Sequence, residues 1–180
     1  MLYTLKNCRD ASVATYKTTV DISENDGFVT FTFDCSDSDF YCPHSGYNKI
    51  HSEGDACEVL IGSDPERKVY YEIEISPRND LMVAEMVNHG FDENNEPVLD
   101  IHFVDDCFVK GDVQLKDNGY VASVSFPLTE IVSGEGEIYF NAYRLETDGG
   151  EMDKHLFALN PTMLPKFHSP KHFCYLKDYL

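Results

Sequence analysis

Tryptophan is absent from this 180-residue chain, and positive charge is scarce: 14 Lys plus Arg stand against 32 Asp plus Glu, for a net charge of −18. A field of that sign repels polyanions, so neither nucleic acid nor an anionic membrane surface is expected as a partner. No run of about 18 apolar residues occurs, and no membrane span is expected. The opening MLYTLKNCRDASVATYK alternates polar and apolar residues and has no export h-region, which makes the cytoplasm the expected location. The cysteines, Cys8, Cys35, Cys42, Cys57, Cys107 and Cys174, contain no C-x-x-C pair and no zinc spacing. Without an export signal they are expected to be mostly buried thiols. G-x-S-x-G, H-E-x-x-H and phosphate-loop patterns are all missing, and acids are too abundant for any catalytic carboxylate pair to stand out. No enzyme is expected.

What is present suffices for a folded core. Hydrophobic residues make up 42% of the chain, too many for a disordered one, and residues 1–180 are expected to form a single domain. The charge is uneven. Residues 1–150 hold 29 acidic and 10 basic side chains, whereas 151–180 hold 3 and 4, with three histidines besides. The C-terminal strip is thus near neutral on an acidic body, and could pack across it.

The chain is organised around Asp55–Pro77, DACEVLIGSDPERKVYYEIEISP. Two β-favouring runs, Cys57–Ile61 and Val69–Ile75, flank the strand-breaking GSDPERK. In the second run Tyr71, Ile73 and Ile75 point one way and Tyr70, Glu72 and Glu74 the other, the pattern of a strand with one dry and one wet face. FVTFTF (Phe28–Phe33) is a further strand with Val29, Phe31 and Phe33 inward. Strands are also expected over Leu81–Val87, Val98–Val104, Cys107–Leu115, Tyr120–Phe126, Glu137–Leu145 and Phe173–Leu176. Asn118-Gly119 predicts a type I′ hairpin turn, and Pro127–Val132 a single helical turn. Strands about ten residues apart, with no longer helical period, predict an all-β fold, a mostly antiparallel sandwich. Asp34–Gly54 is the longest irregular segment, a length more often functional than idle.

Three motifs carry a resemblance. Asp55 followed by Glu58-Val59-x-Ile61, a turn, and Tyr70-Tyr71-Glu72-x-Glu74-Ile75 resembles the core hairpin of the family 9 carbohydrate-binding modules. Asn141–Arg144 (NAYR) is similar to their Asn-x-Tyr-Arg strand, and Pro165–Leu176 (PKFHSPKHFCYL) to their closing segment. The resemblance implies a β-sandwich of jelly-roll type and a non-catalytic role in polysaccharide degradation, binding oligosaccharide or polysaccharide ends of β-linked gluco- or xylo-type. It also implies secretion as an alternative to the cytoplasm. An interaction domain on the same fold, with a decayed sugar site, is the rival reading.

Similar modules hold a sugar between two tryptophans, one in the loop before the hairpin and one after the Asn-x-Tyr-Arg strand. Here Tyr47 and His51 stand at the first place and His155 and Phe157 at the second. Aromatic faces cover the C–H face of a pyranose, so Tyr47 and Phe157 are the expected platforms. Glu53 and Asp55 stand where similar modules place polar sugar contacts. Arg144 offers five fixed donors for paired hydroxyls, or else for an internal salt bridge, and Asn141 shares its strand. No cofactor is required, but calcium, often structural in similar modules, is a candidate ligand of Asp34, Asp37 and Asp39 in DCSDSD. A thiol titration under denaturing, non-reducing conditions should approach six free groups. A count near zero would overturn the cytoplasmic expectation.

Overall fold

The computed structural model describes residues 1–50, 53–132, 136–148 and 155–180. Thirteen strands follow one another among these residues: β1 (Leu2–Thr4), β2 (Lys6–Asn7), β3 (Thr18–Asn25), β4 (Phe28–Ser36), β5 (Ala56–Gly62), β6 (Val69–Ile75), β7 (Leu81–Phe91), β8 (Pro97–Phe103), β9 (Lys110–Lys116), β10 (Gly119–Pro127), β11 (Tyr139–Glu146), β12 (His155–Ala158) and β13 (Cys174–Tyr175). Among the described residues helix is confined to three short 3-10 turns, and none is long and apolar enough to cross a membrane.

All pairings are antiparallel and form two sheets. The first runs β1-β3-β4-β10-β9. The second runs β2-β12-β11-β5-β6-β7-β8, with β13 also paired to β11. Alternation decides what lies between them. Val29, Phe31 and Phe33 of β4 meet Val59, Ile61, Ile73 and Ile75 of the second sheet in one core, while Thr30 and Thr32 stay half-exposed. The expected all-β sandwich is what forms.

The wet face expected on the central hairpin is dry. Tyr70, Glu72 and Glu74 are 1%, 2% and 4% exposed. A second core of Leu60, Tyr70, Met82, Met86, Tyr139 and Tyr143 covers the outer face of the second sheet, closed by Phe167 and Phe173 from the tail. Tyr143 stacks on Phe167 with centroids 4.3 Å apart and donates its hydroxyl to the Phe167 carbonyl at 2.9 Å. Phe173 meets Tyr70 edge-on at 5.3 Å. Arg67 donates to the Phe173 carbonyl at 3.0 Å, its guanidinium between the rings of Tyr139 and Tyr175 at 4.9 and 5.1 Å. Each buried phenyl ring contributes about 1.5–3 kcal/mol from the area it removes from water.

The β9–β10 hairpin forms where expected, but its turn is displaced by one residue. Lys116 pairs with Gly119, leaving Asp117 and Asn118 as the loop. Asn118 has no positive φ; Gly119 has, at +140°, and a Cβ there would stand 1.9 Å from the Cys35 carbonyl oxygen. Glycine is required by that close approach. The six cysteines are all free: Cys8, Cys35, Cys42 and Cys57 are buried, Cys174 is half-buried and Cys107 is exposed.

Dry faces on both sides of the sheet give a stability test by urea unfolding. Ile73→Ala, on the inner face, and Met82→Ala, on the outer face, should each cost about 2–5 kcal/mol. Ile101→Ala on the exposed edge strand β8 should cost less than about 1 kcal/mol. An outer-face cost as small as the edge cost would mean that the tail does not seal that face.

Candidate functional site

The segments bearing the expected site residues converge at one end of the second sheet. Asp55 precedes β5, Cys57 pairs with Ile75 at the end of β6, and Ile75 pairs with Leu81 at the start of β7. On the other side Glu146 closes β11 opposite His155, the first residue of β12. The irregular segment after β4 crosses this end.

Asp55 anchors it. Its Oδ2 accepts the Tyr41 backbone N–H at 2.6 Å, and its Oδ1 accepts both the N–H and the hydroxyl of Thr147, at 2.8 and 2.7 Å. The side chain is buried, and burial pushes its pKa up against those hydrogen bonds. Arg144 lies between the sheets, fully buried. Nη1 donates to Thr18 Oγ1 at 3.0 Å and to the Ser36 carbonyl at 2.9 Å, both in the first sheet. Nη2 donates to Asp37 Oδ2 at 3.0 Å and to Glu146 Oε2. Burial pushes Glu146 up to about 8; the Arg144 charge opposes this, and Asp55 and Asp37 add to it. Beside the cluster Tyr16 donates its hydroxyl to Asp148, a bond that together with burial raises the phenol to about 12.

Several expected sugar contacts are therefore corrected. Arg144 is internal, as the salt-bridge alternative had it. Asp55 spends both oxygens on the backbone and side chain of its own loops. Asn141 is fully buried: its amide nitrogen donates to the Tyr143 hydroxyl at 2.9 Å and the Asn160 carbonyl at 2.8 Å, and its oxygen accepts the Ala142 and Asn160 N–H groups at 3.0 Å each. Phe157 is 1% exposed and cannot offer a face to a ligand. His155 is half-buried, stacked on Phe157 and edge-on to Tyr16. Tyr47 is half-buried with its hydroxyl donated to the Val104 carbonyl at 2.7 Å. Glu53 is exposed and pairs with His44 at 2.7 Å. His51 lies outside the described residues.

The three aspartates proposed for calcium diverge. Asp34 faces out to Lys116, Asp37 turns inward to Arg144, and Asp39 is exposed, its backbone N–H donating to Asp37 Oδ1 at 2.9 Å. Asp37 instead joins Asp55 and Glu146, whose carboxylate oxygens lie within 4.8 Å of one another. Their counter-charge is the Arg144 guanidinium. Glu146 was not anticipated. The signal lay in its spacing, since a residue two beyond Arg144 on a strand shares its face. Tyr41, 40% exposed and bound through its backbone to the Asp55 clamp, is the most open tyrosine or phenylalanine among the described residues of this segment.

No family model matches the sequence, and neither does any curated protein. Solved structures do match. A Bacteroides uniformis protein described as a putative carbohydrate-binding protein superposes with a TM-score of 0.73 at 14% identity, over 96% of this chain and 84% of that one. A family 9 carbohydrate-binding module from Caldicellulosiruptor kristjanssonii, in complex with glucose, gives 0.59 at 13% identity over 96% and 82%. A family 9 module from the same organism, in complex with cellotriose, gives 0.60 at 13% identity over 95% and 78%. This chain has the family 9 module fold. Within that fold, the end of the second sheet is built on the Arg144 cluster and the Asp55 clamp, with Tyr41, His44 and Glu53 left accessible above them.

The Glu146 shift gives a signed pH dependence. A carboxyl group whose folded pKa lies above its ordinary value of 4.5 favours folding fully below about 4.5 and loses that contribution as pH rises to about 8. Thermal melts of the wild type should therefore decline across this window, and Glu146→Gln should flatten the decline. Parallel curves for the two proteins would remove Glu146 as the cause. Arg144→Ala, which leaves Asp37 buried without its cation, should cost about 3–5 kcal/mol in the same assay.

Proposed function

We propose that this chain is a non-catalytic carbohydrate-binding domain that takes short β-linked gluco- or xylo-oligosaccharides weakly, by a chain end. The observation that carries this reading is the shared sandwich, matched over 96% of the chain by a module solved with glucose. The accessible groups at the end of the second sheet suit a sugar. Tyr41 offers an aromatic face, His44 and Glu53 a polar pair 2.7 Å apart, and Tyr47 a half-buried ring in the same segment. Aromatic faces take the apolar side of a pyranose, and a few placed polar groups fix its hydroxyls. Tyrosine presents less area than tryptophan, so the expected dissociation constant is about 0.1–10 mM, roughly −3 to −5.5 kcal/mol.

A second reading is favoured by the burial of Asn141, Arg144 and Phe157. It takes the chain as an interaction domain on the same fold, its sugar site decayed. NMR shift mapping with glucose, cellobiose and xylobiose separates the two. The sugar reading expects shifts confined to residues 39–55 and their neighbours, lost in Tyr41→Ala and weakened in Glu53→Ala. No shift at tens of millimolar sugar leaves the interaction domain as the better account.

A further inference from the structure

Two cysteines flank the irregular segment and meet between the sheets. Cys35 is the last residue but one of β4, in the first sheet, and Cys57 the second residue of β5, in the second. Their Sγ atoms are 3.5 Å apart, and the side chains are 0% and 1% exposed. Other thiols are engaged elsewhere: Cys8 with Thr162 Oγ1 at 3.0 Å, Cys107 with the Val109 carbonyl at 3.4 Å, and Cys174 with the Tyr179 hydroxyl at 3.3 Å.

The surroundings of the pair are polar as well as buried. Tyr120, opposite Cys35 on β10, brings its hydroxyl to 3.8 Å from Cys57 Sγ. Arg144 stands opposite Cys57 on β11 and donates to the carbonyl of Ser36, the residue after Cys35. Burial disfavours a thiolate at either sulfur, but at Cys35 the Cys57 hydrogen bond and the Arg144 charge outweigh it. At Cys57 burial and the neighbouring Cys35 together push the pKa up. Cys35 is thus the nucleophile of the pair, and Cys57 the thiol that resolves it.

We propose that Cys35 and Cys57 form an oxidation site, closed by hydroperoxides into a disulfide that bolts the first sheet to the second. The Cys35 thiolate attacks one oxygen of hydrogen peroxide and the O–O bond breaks. A sulfenic acid results, and the departing hydroxide takes up the proton that Cys35 released. The Cys57 sulfur then attacks the Cys35 sulfur, the S–O bond breaks, and the second hydroxide takes the Cys57 proton. Two electrons pass from the thiols to the peroxide, and two waters leave. The sulfurs need only close from 3.5 Å to about 2.05 Å. Each cysteine lies one residue in from a strand end, where local opening admits a small oxidant more readily than mid-strand. The bond ties residues 36–56, with Tyr41, His44 and Glu53, into a closed loop, which removes chain entropy from the unfolded state.

Hydrogen peroxide applied to the folded, reduced wild type tests this. After denaturation, alkylation and digestion without reductant, mass spectrometry should find the Cys35 and Cys57 peptides joined, two hydrogens lighter than their sum. A dithiol should release them. The oxidised protein should melt about 5–10 °C above the reduced one. That gain should vanish in Cys57→Ala and persist in Cys107→Ser. The same treatment in urea should give mixed pairings, since the fold no longer holds the two sulfurs together. The proposal is overturned if Cys35 and Cys57 are both recovered alkylated after the exposed Cys107 has been consumed, if the joined protein melts no higher than the reduced one, or if the pairing forms equally well in urea. The peptide readout needs no variant and decides even if Cys57→Ala fails to fold.

Discussion

A guanidinium without water around it joins the two sheets. Arg144 belongs to the second sheet, yet its Nη1 donates to Thr18 and Ser36 in the first, while its Nη2 donates to Asp37 and Glu146 and its Nε is left without a hydrogen-bond partner. Buried charges of this kind add little over an apolar contact of equal size, but removing one partner leaves the other stranded. Their value is geometric. They fix the spacing of the sandwich at the end where its long loops attach, and Asp55 extends the arrangement by clamping the segments around Tyr41 and Thr147. Accessible groups such as Glu53 and His44 thus sit on a base that cannot shift, the usual relation between recognition loops and a rigid scaffold.

The second constraint is that the middle of the second sheet, β5, β11 and most of β6, is dry on both faces. An antiparallel sheet commonly leaves one face to water, but here the tail supplies a further layer. Its near neutrality matters, since a strip as acidic as the body would be repelled by it. Lys166 instead pairs with Glu96 and His168 with Glu72, while Phe167 and Phe173 fill the space between.

Strands were legible in the sequence because β-branched and aromatic residues alternate in runs bounded by Gly, Pro and Asp. The inner face was readable for the same reason: Val29, Phe31, Phe33, Ile73 and Ile75 have no polar alternative. The outer face was not. Glu72 and Glu74 look like solvent-facing acids to any local pattern, because what covers them arrives nearly a hundred residues later. The hairpin at Asn118-Gly119 was visible, but the approach of Gly119 to Cys35 is a tertiary fact that moves the turn by one residue. At the candidate site, residue type announced chemistry without announcing exposure. Phe157 and Tyr41 are both aromatic, and only packing makes the first a core residue and the second an accessible ring. All four residues of β12 pair with β11, and Phe157 and Ala158 pair with β2 as well, yet that short strand had no sequence signal of its own.

The layer that closes the outer face has a consequence for synthesis. Tyr70, Met82 and Met86 are made well before Phe167 and Phe173, which follow β11 and β12 in the chain. At translation rates of about 5–20 residues per second, the apolar side of a sheet already able to pair stands open for roughly 5–20 s. During that interval the nascent chain offers a ready surface to chaperones and to other unfinished copies. Pairing of the sequence-distant β2 and β12 further delays completion, since such contacts cost loop-closure entropy before they contribute stability. The vulnerable stage of this protein is therefore its birth rather than its mature state.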